Sequence, residues 1–422
     1  MSGTTTATGG RATPTVTIVT PSFNQGEFIR ATIESVLAQD YPRVEYIVMD
    51  GGSTDHTAAI AAEYGSRLRW ISEKDRGQSH AINKGFAMAK GEIVAWLNSD
   101  DLLLPGAVTR AVNAFAAAPP HIGAIYGEGH LMDREGRITG RFPATEPFNL
   151  WKLVYLSDYI LQQSTFFRRA AVAQAGWLDE DLHYTMDWDL LIRLGKRFGL
   201  HYVPEYFGVL REYPEAKSFA GGRLRIQEIR RVLERHTGLR RAPGYWTYRL
   251  EMFRSQWKSA LENGIPAWLR APARLASCFL RFAAGAPIML LHRHSQGLYA
   301  DRWAARRLKW MLPETARAVI VRGHVPDELG LQGQTLTVRA ETGELGRWPV
   351  GPGAFTLRFA VPAGANGPFR FDVYASRYKR PRLGSEMSLR RMAWIMEAIE
   401  WAGPEETGAR HGGGNSQRRF SQ

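Results

Sequence analysis

Two adjacent carboxylates, Asp100 and Asp101, close the run Glu92-Ile93-Val94-Ala95-Trp96-Leu97-Asn98-Ser99. Like charges side by side repel each other. A hard divalent cation, which takes oxygen ligands and bridges to phosphate, would offset that repulsion. The competing reading is a helix cap, with Asp101 ahead of Pro105, because Asp is a favoured capping residue. Further carboxylates occur in Asp50-Gly51-Gly52-Ser53-Thr54-Asp55, in Asp75-Arg76-Gly77-Gln78 and in Met186-Asp187-Trp188-Asp189. The two glycines after Asp50 allow a tight turn and close approach of backbone to a ligand. A helix opening at Thr54 or Asp55 would offer N–H groups to an anion. Asp50 also suits a plain turn, and Asp187 a helix dipole.

These residues need elements to hold them. Thr15–Thr20 is a run of β-branched residues and predicts a strand. Phe28, Ile29, Ile33, Val36 and Leu37 recur at helical spacing. Strands are expected again over 44–49, 68–72 and 92–97, with helices after residue 55 and over 79–89. Each strand ends in polar or charged residues. The alternation β-α-β-α-β-α-β predicts a doubly wound, mainly parallel sheet with its ligand site along one edge, in an α/β domain.

The motifs Pro21-Ser22-Phe23-Asn24, Asp50 to Asp55, Asp75-Arg76-Gly77-Gln78-Ser79 with Ala81-Ile82-Asn83-Lys84-Gly85, Asn98 to Asp101, and Met186 to Leu190 occur in that order. Together they resemble family 2 glycosyltransferases of the GT-A fold, over roughly residues 14–220. The resemblance implies an inverting transfer from a nucleotide-sugar donor, in which an acceptor hydroxyl attacks as the nucleoside diphosphate leaves. It implies that Pro21, Ser22, Phe23, Asn24 and Asp50 hold the nucleoside. Gly51, Asp75, Arg76, Gly77, Asn83, Lys84, Asn98, Ser99 and Arg211 complete the donor set. Asp100 and Asp101 would hold a divalent cation, Mg²⁺ or Mn²⁺, and Asp187 would be the base. For Arg76, Lys84 and Arg211 the residues alone suit solvated surface as well, and His80 and His183 read as rim histidines. Two departures stand out. Asn98 replaces the aspartate that usually opens the metal motif, and brings no charge. Tyr213 stands where the family often has a histidine ligand, with Glu212 or Glu215 as substitutes.

Residues 125–133 and 137–140 read as a hairpin, and 162–167 as a strand followed by a short helix ending near Gly176. In the family this half builds the acceptor site, for a glycan or lipid-linked acceptor. Trp151, Tyr155, Tyr159, Trp177 and Trp188 could stack on sugars or fill the core. The one cysteine, Cys278, rules out an internal disulfide and fits a reducing, cytoplasmic setting.

The formal net charge is +13. Residues 223–310 carry 18 Lys+Arg and 5 Asp+Glu, so 18 − 5 accounts for all of it. The same segment holds Trp246, Trp257, Trp268, Trp303 and Trp310. Basic helices with aromatic residues suit an anionic membrane surface on the inner face of the plasma membrane, or a solvated linker. Leu275 to Leu291, interrupted by Arg281 and Pro287, is short for a membrane span. No nucleic-acid motif accompanies the charge, so no nucleic-acid partner is expected. The expected organisation is a leader over 1–13 and a GT-A domain over 14–222. A basic, Trp-rich helical segment over 223–314, a small β-sandwich over 315–380, and a short helix with a disordered tail over 381–422 follow. The alternative functions are a degenerate glycan-binding scaffold and a sugar-nucleotide nucleotidyltransferase. The latter lacks a basic glycine-rich loop after the first strand.

Overall fold

Strand β1 (Val16–Ser22) is buried along its whole length and lies between β2 (Val44–Asp50) and β4 (Ile93–Trp96), parallel to both. The computed structural model describes residues 13–217, 221–263, 296, 298, 303–327, 330–364, 367–378 and 393–403. It divides into two units. One comprises Met1–Pro147, Tyr159–Leu190 and Leu200–Ala220; the other comprises Phe148–Asp158, Leu191–Gly199 and Gly221–Gln422.

In the first unit, α1 (Ile29–Leu37) buries Ile29, Thr32, Ile33 and Val36, the stripe that the spacing predicts. Helix α2 (Thr57–Ala62) and β3 (Arg69–Ser72) follow, then α3 (Gln78–Met88). Helix α3 lies so close to β1 that a Cβ on Gly85 would sit 2.4 Å from Val19 Cγ1, which explains the glycine. After β4 come β5 (Leu102–Leu103), α4 (Ala107–Ala117) and the hairpin of β6 (Ala124–Met132) and β7 (Ile138–Arg141). Then come β8 (Thr165–Arg168), a helix over Arg169–Ala175, a helix over Met186–Arg197 that begins in this unit and ends in the other, and β9 (Leu200–Arg211). The sheet order is β3-β2-β1-β4-β8-β6-β9-β5, with β7 on β6.

The first four strands pair in parallel in the order 3-2-1-4, which agrees with the mainly parallel sheet that the alternating pattern predicts. Beyond β4 the sheet becomes mixed, because β8 runs antiparallel to both β4 and β6. The strand expected over 162–167 begins only at Thr165, since Gln162–Ser164 form a 3₁₀ turn. That turn faces the amides of Gln162 and Gln163 toward polar partners in the sheet, as described below.

The second unit contains α5 (Leu150–Tyr155), capped by Asn149, whose Oδ1 accepts from Lys152 N at 3.0 Å. Numbering the helices over 169–175 and 186–197 as α6 and α7, it also holds α8 (Gly222–Thr237) and α9 (Pro243–Asn263). Two four-stranded antiparallel sheets form a sandwich. One has the order β10 (Trp303–Ala304), β17 (Trp394–Ala402), β12 (Ala318–Val325), β15 (Gly353–Ala360). The other has β11 (Arg307–Leu312), β16 (Phe369–Ala375), β13 (Gln334–Ala340), β14 (Gly343–Val350). Leu308, Trp310, Val319, Val321, Leu336, Val338, Phe371, Val373 and Trp394 point inward to its core.

The sandwich is larger than expected. Strand β11 lies where a helical segment was expected, because Leu308, Trp310 and Leu312 alternate with Arg307 and Lys309, a period of two hidden in a basic run. Strand β17 lies in the expected helix and tail. Strand β14 carries Gly346 and Pro349, which an edge strand tolerates. Residues 1–12 of the leader expected over 1–13, Leu275–Leu291, Cys278 and the tail beyond 403 lie outside the described residues. Among the described residues no helix is long and apolar enough to cross a membrane.

Candidate active site

The strand ends β1, β2 and β4 bring the expected residues to one edge of the sheet. Gly51 N donates to Ser22 O at 2.8 Å, joining the first two strand ends. Asn24 has φ 52°, the only non-glycine in the left-handed region among the described residues. Its Oδ1 accepts from Thr54 N at 2.9 Å, and its own N–H donates to Ser53 Oγ at 2.8 Å. The strained backbone therefore fastens the β1 loop to the β2 loop. A Cβ at Gly51 would meet Asp75 Oδ2 at 2.7 Å and the Phe23 ring at 3.3 Å. Phe23, Gly51 and Asp75 thus converge, and Phe23 is 59% exposed. Pro21 is buried at the end of β1, and Ser22 Oγ beside it is buried without a hydrogen-bond partner.

Asp50 is 1% exposed. Its Oδ2 accepts from Gly52 N (3.1 Å), Ser53 N (3.0 Å) and Ser72 Oγ (2.6 Å), and its Oδ1 accepts from Ser53 Oγ. The carboxylate is the organiser of its own loop. Gly77, with φ 116°, starts α3, and its N–H donates to Asp75 Oδ1 at 2.8 Å.

At the end of β4 the paired acids differ. Asp101 is fully enclosed. Its Oδ1 accepts from Arg211 N (2.9 Å), and its Oδ2 from Asn98 Nδ2 (3.0 Å) and Gln163 Nε2 (2.6 Å). Burial, reinforced by the neighbouring Asp100 charge, pushes its carboxyl well above the usual range, against the pull of those three donors. Asp100 is only partly covered, and its Oδ2 accepts from Tyr213 Oη at 2.7 Å. Burial raises its carboxyl also. Ser99, 5% exposed, is held by its carbonyl, which accepts from Thr32 Oγ1 at 2.9 Å.

A string of amides runs outward from Asp101. Asn98 Oδ1 accepts from Gln78 Nε2 at 2.6 Å, and Gln78 Oε1 accepts from Lys217 Nζ at 2.6 Å. Gln162 Nε2 donates to Trp96 O at 2.7 Å and braces Asn98 from behind, 3.4 Å away. Asn98 has one acceptor and one donor end and uses both, which an aspartate there could not do.

Asp187 lies in the first turn of α7, half-buried, its Oδ1 accepting from Trp188 N at 2.8 Å. The loop before it is pinned to α3. Ser79 Oγ donates to Leu182 O at 3.1 Å, Asn83 bonds Leu178 through both amide ends, and Arg76 pairs with Glu180. A Cβ built on Gly77 would lie 3.9 Å from His183 Nδ1. Helix α7 therefore begins beside the start of α3, the helix whose Gln78 reaches Asn98. Asp189, two residues on, is fully buried.

Several expected donor contacts are committed elsewhere. Asn83 pins the 178–180 loop, and Lys84 Nζ pairs with Glu73 at 2.7 Å. Arg211 is 5% exposed, and its guanidinium donates to the carbonyls of Asp100 (2.9 Å), Asp133 (3.2 Å) and Arg134 (2.7 Å). It is a strut, because three carbonyls and the Phe28 ring, 4.9 Å away, surround it. A further cation beside Gln78 is Lys217, which sequence reading passed over. Its place in a loop after Pro214 and Ala216 carried no periodic signal. Gln162 and Gln163 were likewise missed, although adjacent glutamines in an apolar stretch are a signal of buried hydrogen bonding.

The fit of a cation follows from the donor set. Among the described residues no three of His, Cys, Asp and Glu gather to hold a metal. Asp101 is saturated by N–H donors, and one oxygen of Asp100 takes the Tyr213 hydroxyl. Of this acidic pair one oxygen of Asp100 is left, which suits Mg²⁺ or Mn²⁺ arriving with phosphate and water ligands.

The family model described as Glycosyl transferase family 2 matches residues 17–177. A curated protein of Mycobacterium tuberculosis, named an uncharacterized glycosyltransferase, is 35% identical over 184 residues, covering 43% of this chain and 68% of its own length. One of Rickettsia bellii with the same description is 31% identical over 188 residues, 43% of this chain and 27% of that protein, so the chain spans about a quarter of that relative. The mannosyltransferase PcManGT of Pyrobaculum calidifontis, solved with GDP-Man and Mn²⁺, is 19% identical and covers 67% of this chain and 83% of its own, at a TM-score of 0.43.

Proposed function

Since the chain belongs to glycosyl transferase family 2, we propose that it moves one sugar from a nucleoside diphosphate donor to a glycan or lipid-linked acceptor, with inversion. The observation that carries this reading is the amide string Asp101–Asn98–Gln78–Lys217 beside Asp100. It sets a positive group and a partly open carboxylate at the strand ends where α/β sheets bind ligands. The Phe23, Gly51 and Asp75 cluster, with the orphan Ser22 hydroxyl, is read as the nucleoside seat. Asp50 shapes that seat by bonding its own loop.

In the reaction, the acceptor oxygen bonds to the anomeric carbon as the bond to the diphosphate breaks. Asp187 takes the hydroxyl proton, and Lys217 stands by the departing phosphate. A Mg²⁺ or Mn²⁺ ion, when bound at Asp100, supplies charge neutralisation of the diphosphate. Asp101 and Arg211 hold Asp100 in place.

We place the reaction at the inner face of the plasma membrane. In support, Leu224, Leu239, Trp246 and Phe253 on and between α8 and α9 are 62, 48, 40 and 51% exposed, among Arg223, Arg225, Arg240 and Arg241. Exposed apolar groups with arginines next to them in sequence, and Arg241 5.6 Å from the Trp246 ring, suit an anionic membrane interface.

The deciding experiment is thermal stability against UDP, GDP, dTDP and CDP, with and without Mn²⁺, for the wild type and Asp100→Ala. A ligand of the folded state raises stability by about 2.7 kcal/mol at one hundred times Kd. A shift with one nucleotide that needs Mn²⁺ and vanishes in Asp100→Ala names the donor class. No shift with any nucleotide overturns the reading and favours a degenerate scaffold.

A further inference from the structure

The β11-β16-β13-β14 sheet has an inner face of Leu308, Trp310, Phe371, Val373, Leu336 and Val338. Residues alternate along each strand, so Arg307 and Lys309 of β11, Arg370, Asp372 and Tyr374 of β16, and Arg339 of β13 share the outer face. Register sets them in rows. Arg307 stands opposite Tyr374, and Lys309 and Arg339 flank Asp372 on either side. Four cations meet one carboxylate on these three strands.

The ring of Tyr374 lies beneath two guanidinium groups. Arg307 Cζ is 5.2 Å from its centroid, and Arg339 Cζ is 5.6 Å from it. Asp372 already shows what these groups accept, since Arg307 Nη2 donates to its Oδ2 at 2.6 Å. Arg339 has a second, looser partner in Glu344 at 3.6 Å. Helix α5 forms a wall at the β11 side. Its Trp151 and Tyr155 stack at 4.3 Å, with Lys309 Nζ 5.5 Å from the Trp151 ring and Arg370 Cζ 6.0 Å from the Tyr155 ring. Burial lowers the Lys309 ammonium, with the Arg307 charge adding to the effect and Asp372 opposing it.

We propose that this face is a binding site for an acidic polysaccharide, independent of the transferase site. Arginine forks bind carboxylates in a planar, bidentate way, and Arg307 already directs both Nε and Nη2 to one oxygen of Asp372. An aromatic ring among them suits the apolar face of a sugar. Neighbouring strands about 4.8 Å apart repeat the positive groups across the sheet, which a chain molecule can follow. Excess positive charge on a single rigid sheet selects a polyanion over a neutral glycan, and the tyrosine selects sugar over a bare ion.

The test uses the full chain and polygalacturonate, with neutral dextran of matched length for comparison, in affinity electrophoresis. The wild type is expected to be retarded by polygalacturonate and not by dextran, with retardation falling as salt rises. Arg307→Glu with Arg339→Glu should weaken binding tenfold or more. Tyr374→Ala should weaken it several-fold while keeping the charge, and serves where the double reversal unfolds the sandwich. Arg358→Glu, exposed on β15 of the opposite sheet, makes a charge change of the same kind and should leave binding as it is. Equal loss in Arg358→Glu, unaltered binding in both face variants, or equal affinity of the face for single-stranded DNA would overturn the proposal. So would the absence of any retardation by polygalacturonate.

Discussion

The phenol of Tyr213 donates to Asp100 Oδ2 at 2.7 Å, while its ring packs 5.0 Å from Phe28 and 5.6 Å from Arg134. Burial and the Asp100 charge raise the phenol above its ordinary range, so it stays a donor at neutral pH. A neutral phenol bonded to a carboxylate competes with a cation for that oxygen. Mn²⁺ alone should therefore bind weakly, and at least tenfold more tightly with the matching nucleoside diphosphate. Tyr213→His, which substitutes an imidazole ligand, should narrow that gap. Free Mn²⁺ counted by electron paramagnetic resonance checks this; equal affinities with and without nucleotide in the wild type would refute it.

Asp187→Asn should lower turnover by about 10²–10⁴, the usual range for a lost general base. Its effect on nucleotide-induced thermal shifts should be small if Asp187 serves the acceptor hydroxyl, as proposed. Loss of the thermal shift together with turnover would mean that Asp187 shapes the donor seat instead.

Arg211 and Lys217 should separate cleanly. Removing the Arg211 side chain leaves three part-buried carbonyls without their charged donor, at about 1.5–3 kcal/mol for such a bond. Arg211→Ala should thus lower the unfolding midpoint. Lys217→Ala should leave the midpoint alone and weaken nucleoside diphosphate binding roughly tenfold, equivalent to about 1.4 kcal/mol. Denaturant titration and calorimetric binding on both variants decide, and the reverse pattern would reassign the two cations.

His201, on β9 opposite Ile125, is lowered from 6.5 by burial. The unfolded imidazole then takes a proton more readily than the native one, so stability is kept above about pH 6.5 and falls as the pH drops through that value. His201→Gln should flatten this part of the stability profile, as followed by unfolding midpoints between pH 5 and 8, about the range where His titrates.

The exposed apolar groups on α8 and α9 make a further expectation. Flotation with anionic liposomes should retain the wild type and release Leu224→Ser with Trp246→Ser, with neutral liposomes binding less. Identical flotation of the variant would remove the membrane surface from the proposal.

Much of the first unit was legible because its strands are apolar runs closed by acids, and its helices carry a stripe such as Ile29, Ile33 and Val36. Placement of Asp100 and Asp187 followed from those boundaries. What a side chain does at a boundary was not legible. Asp50 turned onto its own loop and Lys84 to Glu73, since a turn or an ion pair satisfies such a group as well as a ligand does, while Arg211 turned inward to carbonyls from residues far along the chain. Strand β11 was hidden by charge. Arg307 and Lys309 dominate its composition, whereas its core contribution comes from the residues between them.

The division of the chain carries a last consequence. Phe148–Asp158 and Leu191–Gly199 belong to the C-terminal unit although each is flanked by residues of the first. The polypeptide therefore passes back and forth several times, and neither half is a continuous stretch that can be cut out. Ending the chain at residue 222 would strand Leu150, Leu153 and Val154, each at most 1% exposed, without the unit they pack in. Such a fragment should aggregate rather than work alone. Exchange of the C-terminal unit for another would have to carry three segments of this chain at once.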